Sequence, residues 1–498
     1  MNTNSSFAIE RIRAAYEAPP ATEDGGNKYN RLYRAIKSCI ENQELPVHWV
    51  VPSTRQLADA LELSRTTVIK AYELLQLEKL IVARAGSGYR VFGAEQPAAT
   101  EIQKPEMQVN YPSLSEKGQA FFENVNILNR QTNTGIAFKP GLPPIDIFPI
   151  NQWKNLLNTY WRYVKSSELS YEQGSGMEVL KSQIATYLNV SRNIKCQPEQ
   201  VVITSGSLQS IYLLSGALIN KGDGVVLEDP TFPNVHSIFK SNLAKLLPVG
   251  IDTAGIRLDG LEAAVVHQPK LVHLTPSDHY PLGIKMSLQR RMEVLQWAAK
   301  NNVYLIENDY EHEIGNADLS MPCIYSLDQE SRTIYLGTFN RLLYPSIRLG
   351  FMVLPPQLVQ VIEALLEHSH RFVSPSLQIV MGQFIEKNYL YRHLKNLTEV
   401  ARERRTLFEQ HFGENKKLMI QPAPFNSLHV VATFQQSTQP AEEKQLITKL
   451  ANHHVSAYAL SKCYIQEKPQ SGLILGYSTV RPVVMREQLR QMLRIIQE

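Results

Sequence analysis

Apolar positions along this chain follow two rhythms, and the change from one to the other divides it. In the first hundred residues they recur at three- and four-residue steps, the signature of helices with one buried face. Leu32, Ile36, Cys39 and Ile40 predict a helix from about Tyr29 to Asn42. Leu57, Ala58 and Leu61 form a second stripe, opened by Ser53 with Gln56 three residues on, the pattern of a capping box. Glu62-Leu63 makes a tight turn, Ser64 caps a third helix, and Val68, Ala71, Tyr72 and Leu75 face inward from it. Arg84 to Val91 then reads as two short extended stretches about Gly86-Ser87-Gly88, glycines that permit a hairpin tip. Upstream, Ala8 to Tyr16 predicts a helix followed by breakers at Pro19-Pro20 and Gly25-Gly26.

Beyond Gly141 the rhythm becomes short apolar runs alternating with helical stretches. Val201–Ile203, Gly224–Leu227, Leu271–Leu274, Val303–Ile306, Thr333–Leu336 and Leu349–Leu354 predict strands buried on both faces. Leu208 to Asn220 and Ser287 to Lys300 predict helices between them, as repeated βα units require. Polar residues follow most strand ends: Thr204-Ser205, Glu228-Asp229, Thr275 and Ser277, Asn308-Asp309, Gly337-Thr338. In open α/β sheets the ligand crevice lies at those carboxyl ends. Each such residue alone is an ordinary turn former; their repetition favours a site.

Composition narrows the class. The 498 residues exceed one domain, and 43% hydrophobic with 20% charged residues describes a globular protein. No apolar run approaches the ~20 residues that span a bilayer, and the N-terminus lacks a secretory pattern. Cys39, Cys196, Cys323 and Cys463 have neither disulfide-framework nor zinc-ligand spacing, so a cytoplasmic protein with reduced thiols is expected. The net charge of +4 is weak evidence for nucleic acid, but basic residues outnumber acidic ones between Asn27 and Gly93.

The N-terminal pattern is a winged helix-turn-helix. Arg65, Thr66, Ile69 and Lys70 face outward near the start of its third helix, the part that enters a major groove. Candidate DNA-contacting residues are Arg55, Arg65, Thr66, Thr67, Lys70 and, in the wing, Arg84, Ser87 and Gly88. This segment resembles the GntR family of bacterial regulators. The expected division is a DNA-binding module at 27–93, a Pro- and Gln-rich linker at 94–134 with a short helix near Ser115 to Val125, and a body at 135–498.

The body resembles the fold-type I, pyridoxal phosphate-dependent aminotransferases, and the fusion resembles the MocR subgroup of GntR regulators. The resemblance rests on Gly141-Leu142-Pro143 with Phe148-Pro149, Tyr171 with Gly174-Ser175-Gly176, Thr204-Ser205-Gly206-Ser207 and Glu228-Asp229-Pro230-Thr231-Phe232-Pro233. It continues through Thr275-Pro276-Ser277, Tyr280-Pro281-Leu282-Gly283, Glu307-Asn308-Asp309-Tyr310 and Gly337-Thr338-Phe339 to Arg348-Leu349-Gly350. It implies an α/β fold with a mainly parallel sheet and a smaller C-terminal α+β subdomain. It also implies a pyridoxal 5'-phosphate pocket: Ser207 at a helix start, Thr338 and Arg348 on the phosphate, Phe232 on the ring, and Tyr310 at its phenolic oxygen. Positions 278, 308, 340 and 341, here Asp278, Asn308, Asn340 and Arg341, complete that pocket.

Two of those positions break the pattern. The family reads Gly-Thr-Phe-Ser-Lys, and its Lys forms the Schiff base; this chain reads Gly337-Thr338-Phe339-Asn340-Arg341. An attacking amine must lose its proton, and a guanidinium stays charged at any relevant pH. The family Asp that protonates the pyridine nitrogen is replaced by neutral Asn308. Asp309, its neighbour on a strand end, is expected to point elsewhere. The usual His after Thr-Pro-Ser is Asp278, and Gly472 to Tyr477 offers no Arg for a substrate carboxylate.

Three functional readings follow. The leading one is a DNA-binding regulator, homodimeric, whose degenerate aminotransferase-like body binds a small-molecule effector. That effector is pyridoxal phosphate held at most non-covalently, or another anion in a cradle that has lost the cofactor. The second is a pyridoxal phosphate-dependent aminotransferase with an appended DNA module, and the third a dimerisation body without ligand. Arg341 itself suits either an anionic ligand or an internal salt bridge to Asp278 or another acid.

Overall fold

The computed structural model describes residues 3–18, 27–84, 88–92, 111–128, 135, 137–170, 174–314, 321–413, 415, 417–436 and 439–497. The chain forms two compact units, Met1–Pro112 and Ser113–Glu498. Among the described residues no helix is long and apolar enough to cross a membrane.

In the N-terminal unit, helices α1 (Thr3–Glu17), α2 (Lys28–Glu41), α3 (Thr54–Ala60) and α4 (Arg65–Leu77) surround one core. The α3 cap is the expected reciprocal one: Ser53 Oγ accepts from the Gln56 amide, and the Gln56 side chain accepts from the Ser53 amide at 3.0 Å. Ser64 caps α4 by accepting from the Thr67 amide at 3.1 Å. Val68, Ala71, Tyr72 and Leu75 are all buried as their spacing required. The Tyr72 hydroxyl donates to the Pro52 carbonyl at 2.7 Å, tying α4 to the residue before the α3 cap. A three-stranded antiparallel sheet joins β1 (Val50–Val51) to β3 (Gly88–Val91) and β3 to β2 (Ile81–Arg84). The wing tip, and with it Ser87, lies outside the described residues, as does Tyr171 of the body.

Helix α1 exceeds the stretch expected from Ala8 to Tyr16, and its role is structural. Ala8 and Ile12 are fully buried in the same core as Leu32, Leu57 and Val68.

The body begins with α5 (Glu116–Asn124), capped by Ser115 within the stretch read as linker. Its large sheet runs β4 (Val201–Thr204), β11 (Gly350–Val353), β10 (Thr333–Thr338), β9 (Tyr304–Asn308), β8 (Pro269–Leu274), β5 (Gly224–Asp229), β6 (Lys245–Asp252), β7 (Gly255–Ile256). β11 is antiparallel to both neighbours, and β10 through β6 are mutually parallel. Alternate residues of one strand feed opposite cores, as the pleat demands. Val201 and Ile203 pack with α6 (Ile150–Tyr163) and α7 (Glu178–Arg192), whereas Val202 packs with α8 (Ser207–Leu218) and α9 (Pro233–Ser241). Both faces being covered, the strands read as unbroken apolar runs. The strand that pattern reading missed, β6, is interrupted by Pro248 and Gly250 and is only half-buried along much of its length.

A smaller α+β layer closes the chain. β12 (Leu418–Ile420), β13 (His429–Phe434), β15 (Gly472–Gly476) and β14 (Tyr458–Ala459) form an antiparallel sheet. Helices Tyr389–Phe412, Pro440–Asn452 and Pro482–Gln497 contribute to the core beside it.

Because Ile12 sits in the N-terminal core with no exposure, Ile12→Ala should destabilise that unit by about 2–5 kcal/mol. Hydrogen exchange of α2 and α4 in the full chain reads the loss; unchanged protection would show α1 to be a dispensable appendage.

Candidate functional site

Strand order places the loops after β4, β5, β8, β9 and β10 around one cleft of about 420 Å³. At one end α8 begins at Ser207, where first-turn amides and the helix dipole favour an anion. Gly206, at φ +128°, leads into it; a Cβ there would lie 2.4 Å from Asn340 Nδ2, so the tight approach needs glycine. Thr338 and Arg348 line the same end. The exposed Arg348 donates to Ser205 Oγ at 3.4 Å, and no acid pairs with it among the described residues. Asn340 is spent on bracing: Nδ2 donates to the Ser205 carbonyl at 3.2 Å and Oδ1 accepts from the Leu349 amide at 2.9 Å.

The middle of the cleft holds Phe232, Asn234 and Asn308. Asn308 Nδ2 lies 3.2 Å from His273 Nε2, and Asn308 Oδ1 is buried without a protein partner. Burial pushes His273 down to about 3, so Asn308 faces a neutral ring rather than a cation. Asp309 points away, as expected. It pairs with Arg192 at 2.6 Å and accepts from the Tyr335 hydroxyl at 2.9 Å.

Arg341 sits in a fitted seat beside Tyr310. Its Nη1 donates to Glu311 Oε1 at 2.8 Å, and its guanidinium lies 5.1 Å from the Tyr310 ring centre. Gly141, at φ +72°, closes the seat, since a Cβ there would fall 2.0 Å from Nη1. Glu311 has no exposed surface, and its other oxygen accepts from the Leu428 amide at 3.0 Å. Burial raises the Glu311 carboxyl, while Arg341 and the Leu428 amide pull it down. The partner is Glu311 rather than Asp278.

Asp278 is not presented to the cleft. It lies behind Tyr310, whose hydroxyl donates to the Asp278 carbonyl at 2.9 Å and to Oδ2 at 3.2 Å. Burial and the nearby Glu311 charge push Asp278 far above the usual carboxylate range. Of the other strand-end acids, Glu228 accepts from Thr275, and Asp229 takes the amides of Ile465, Gln466 and Glu467. Those two hold loops rather than ligand.

Pattern reading missed Lys139, Asn234, Tyr280 and Tyr458 as cleft residues. Lys139, the lysine among the described lining residues, comes from the loop before Gly141, far in sequence from the Gly337 to Arg341 motif. Glu311 carried a signal: it stands in the polar run Asp309 to Glu313 directly after a strand end.

On the winged unit, Arg55, Arg65, Thr66, Lys70, Arg84 and Gly88 are all exposed. Thr67 is half-buried and its hydroxyl bonds the Ser64 cap at 2.7 Å, so it shapes the helix start. Lys70 lies over the Tyr29 ring at 5.6 Å.

A helix-turn-helix with a wing, joined to a body with the aminotransferase sheet and cleft, defines a regulator built on an enzyme fold. Residues 28–91 match the model for bacterial regulatory proteins of the gntR family, and 148–474 match aminotransferase class I and II. The chain is 31% identical over 463 residues to the probable rhizopine catabolism regulatory protein MocR of Rhizobium meliloti, covering 92% of each. It is 30% identical to the HTH-type transcriptional regulator YdeL of Bacillus subtilis, covering 93% of this chain and 96% of YdeL. In fold, its body is similar to the α-aminoadipate aminotransferase LysN of Thermus thermophilus. There the TM-score is 0.68 at 21% identity, covering 77% of this chain and 98% of LysN. The chain belongs to the MocR-type regulators of the GntR family and is a DNA-binding transcriptional regulator.

Proposed function

We propose that the aminotransferase-like body is the sensor of this regulator and takes a small anionic effector non-covalently in the strand-end cleft. One observation supports this reading: Arg341, which the motif aligns with the reactive lysine, is ion-paired with buried Glu311. The aminotransferase fold implies pyridoxal phosphate by family, and the lining residues fit that group in part. Ser207, Thr338 and Arg348 offer hydroxyls, a helix start and a guanidinium with no acid partner among the described residues to a phosphate, and Phe232 offers a ring face. They do not fit its covalent chemistry, because Arg341 cannot give an uncharged nitrogen and Asn308 carries no charge to hold a pyridinium. The effector is therefore pyridoxal phosphate bound reversibly, or another compact anion with an apolar ring.

In this reading residues 27–93 read DNA, 94–134 join, and 135–498 sense and dimerise. Two copies engage two half-sites in the cytoplasm, where the DNA lies. Arg55, Arg65, Thr66 and Lys70 address the major groove, and Arg84 with Gly88 the phosphates beside it. Arg65→Ala should weaken specific binding by roughly 1–3 kcal/mol if it reads a base edge. Fluorescence anisotropy on a selected duplex at fixed salt measures this; unaltered affinity after Arg65→Ala with Lys70→Ala would remove α4 as the reading helix.

Pairing Arg341→Lys with Asn308→Asp should give the body a visible absorbance band on adding pyridoxal phosphate, abolished by borohydride. If the double variant binds the phosphate ester yet develops no band, the cleft does not present the cofactor as the family does.

A further inference from the structure

A second concavity, of about 550 Å³, lies on the other side of the first turn of α9. The segment from Phe232 to His236 serves both places: Phe232 and Asn234 line the strand-end cleft, and His236, one turn on, lines this groove. One wall is Asn126-Ile127, directly after α5, and the opposite wall is Lys462 with Tyr464. Both walls are held. Asn124 Nδ2 donates to Ser241 Oγ at 3.2 Å and the Ser237 hydroxyl to the Asn124 carbonyl at 3.3 Å, seating the end of α5 on α9. Asp229 accepts the Ile465, Gln466 and Glu467 amides at 2.8, 2.9 and 3.0 Å, fixing the other wall to the end of β5.

The groove's chemistry is one-sided. Lys240 and Lys462 bring amines, and no carboxylate lines it among the described residues. Lys462 reaches only the Asn126 carbonyl, at 3.5 Å. His236 is 7% exposed, yet neither of its ring nitrogens has a protein partner. Burial, with Lys240 beside it, pushes the ring down to about 4, so at neutral pH it offers one donor and one acceptor. Leaving such a buried polar pair unsatisfied is costly, which marks His236 as directed at something the protein does not supply. The remaining lining, Ile127, Leu246 and Ile465, is apolar.

We propose that this groove is a second ligand site, separate from the strand-end cleft, for a small organic anion with an apolar body, such as an aromatic carboxylate. The lysine amines hold the charge, His236 bonds its polar edge, and the apolar wall takes its ring. The occupant would touch the segment after α5, the first element of the body to follow the linker.

The test is a fluorescence titration of the full chain with 8-anilinonaphthalene-1-sulfonate, an apolar ring system carrying one anion. A blue-shifted bound signal is expected, displaced by benzoate and little affected by equal inorganic phosphate. Lys240→Glu with Lys462→Glu, both at exposed positions, should weaken probe binding roughly tenfold, and His236→Ala should weaken it as well. Probe binding indifferent to the charge reversals would overturn the site. Displacement by phosphate as effective as by benzoate would overturn its assignment to an organic anion.

Discussion

The ion pair of Arg341 with buried Glu311 is the constraint on which the strand-end cleft depends. Arg341 lines the cleft, and its surroundings accommodate it. Glu311 meets its charge, Tyr310 offers a ring face, and Gly141 leaves the room its fork needs. Because Glu311 has no exposed surface, the pair is mutually obligatory, for removing one partner would strand the other's charge in a low-dielectric interior. Deeper in the cleft, neutral Asn308 faces a neutral His273, so no charge is stranded there.

The rest of the cleft lining suits an anion. Helix α8 starts against it, Arg348 has no acid partner among the described residues, and the cleft's charged lining, Lys139, Arg341 and Arg348, is cationic. Anion capture needs donors and positive charge alone. Joined to a DNA-reading unit, such a cleft has a use that needs no turnover. Binding energy that differs between two arrangements of the protein is sufficient to shift their populations.

The parts legible in the sequence were those set by local rules. Capping residues Ser53 and Ser64 placed α3 and α4, and the apolar runs at Val201, Gly224, Leu271 and Thr333 placed the parallel strands, because a strand buried on both faces needs no alternation. The expectation for Arg341 rested on a contiguous motif, Gly337 to Arg341. Less legible was anything depending on distant approach. Lys139 reaches the cleft from a loop some two hundred residues before Arg341, and Tyr458 from the smaller sheet. Asp278 looked like a cleft residue by motif position, yet Tyr310 screens it. Thr67 looked like a reader by register, yet its hydroxyl completes the helix cap.

Lys139 also supplies the sharpest test, since it is the one primary amine lining the cleft among the described residues. The full chain incubated with pyridoxal phosphate, reduced with borohydride and analysed by peptide mass spectrometry should carry no adduct in the cleft, although the ester binds before reduction. A stoichiometric phosphopyridoxyl adduct at Lys139 would show that the amine function had moved rather than vanished, and would contradict the assignment of this cleft as a reversible receptor.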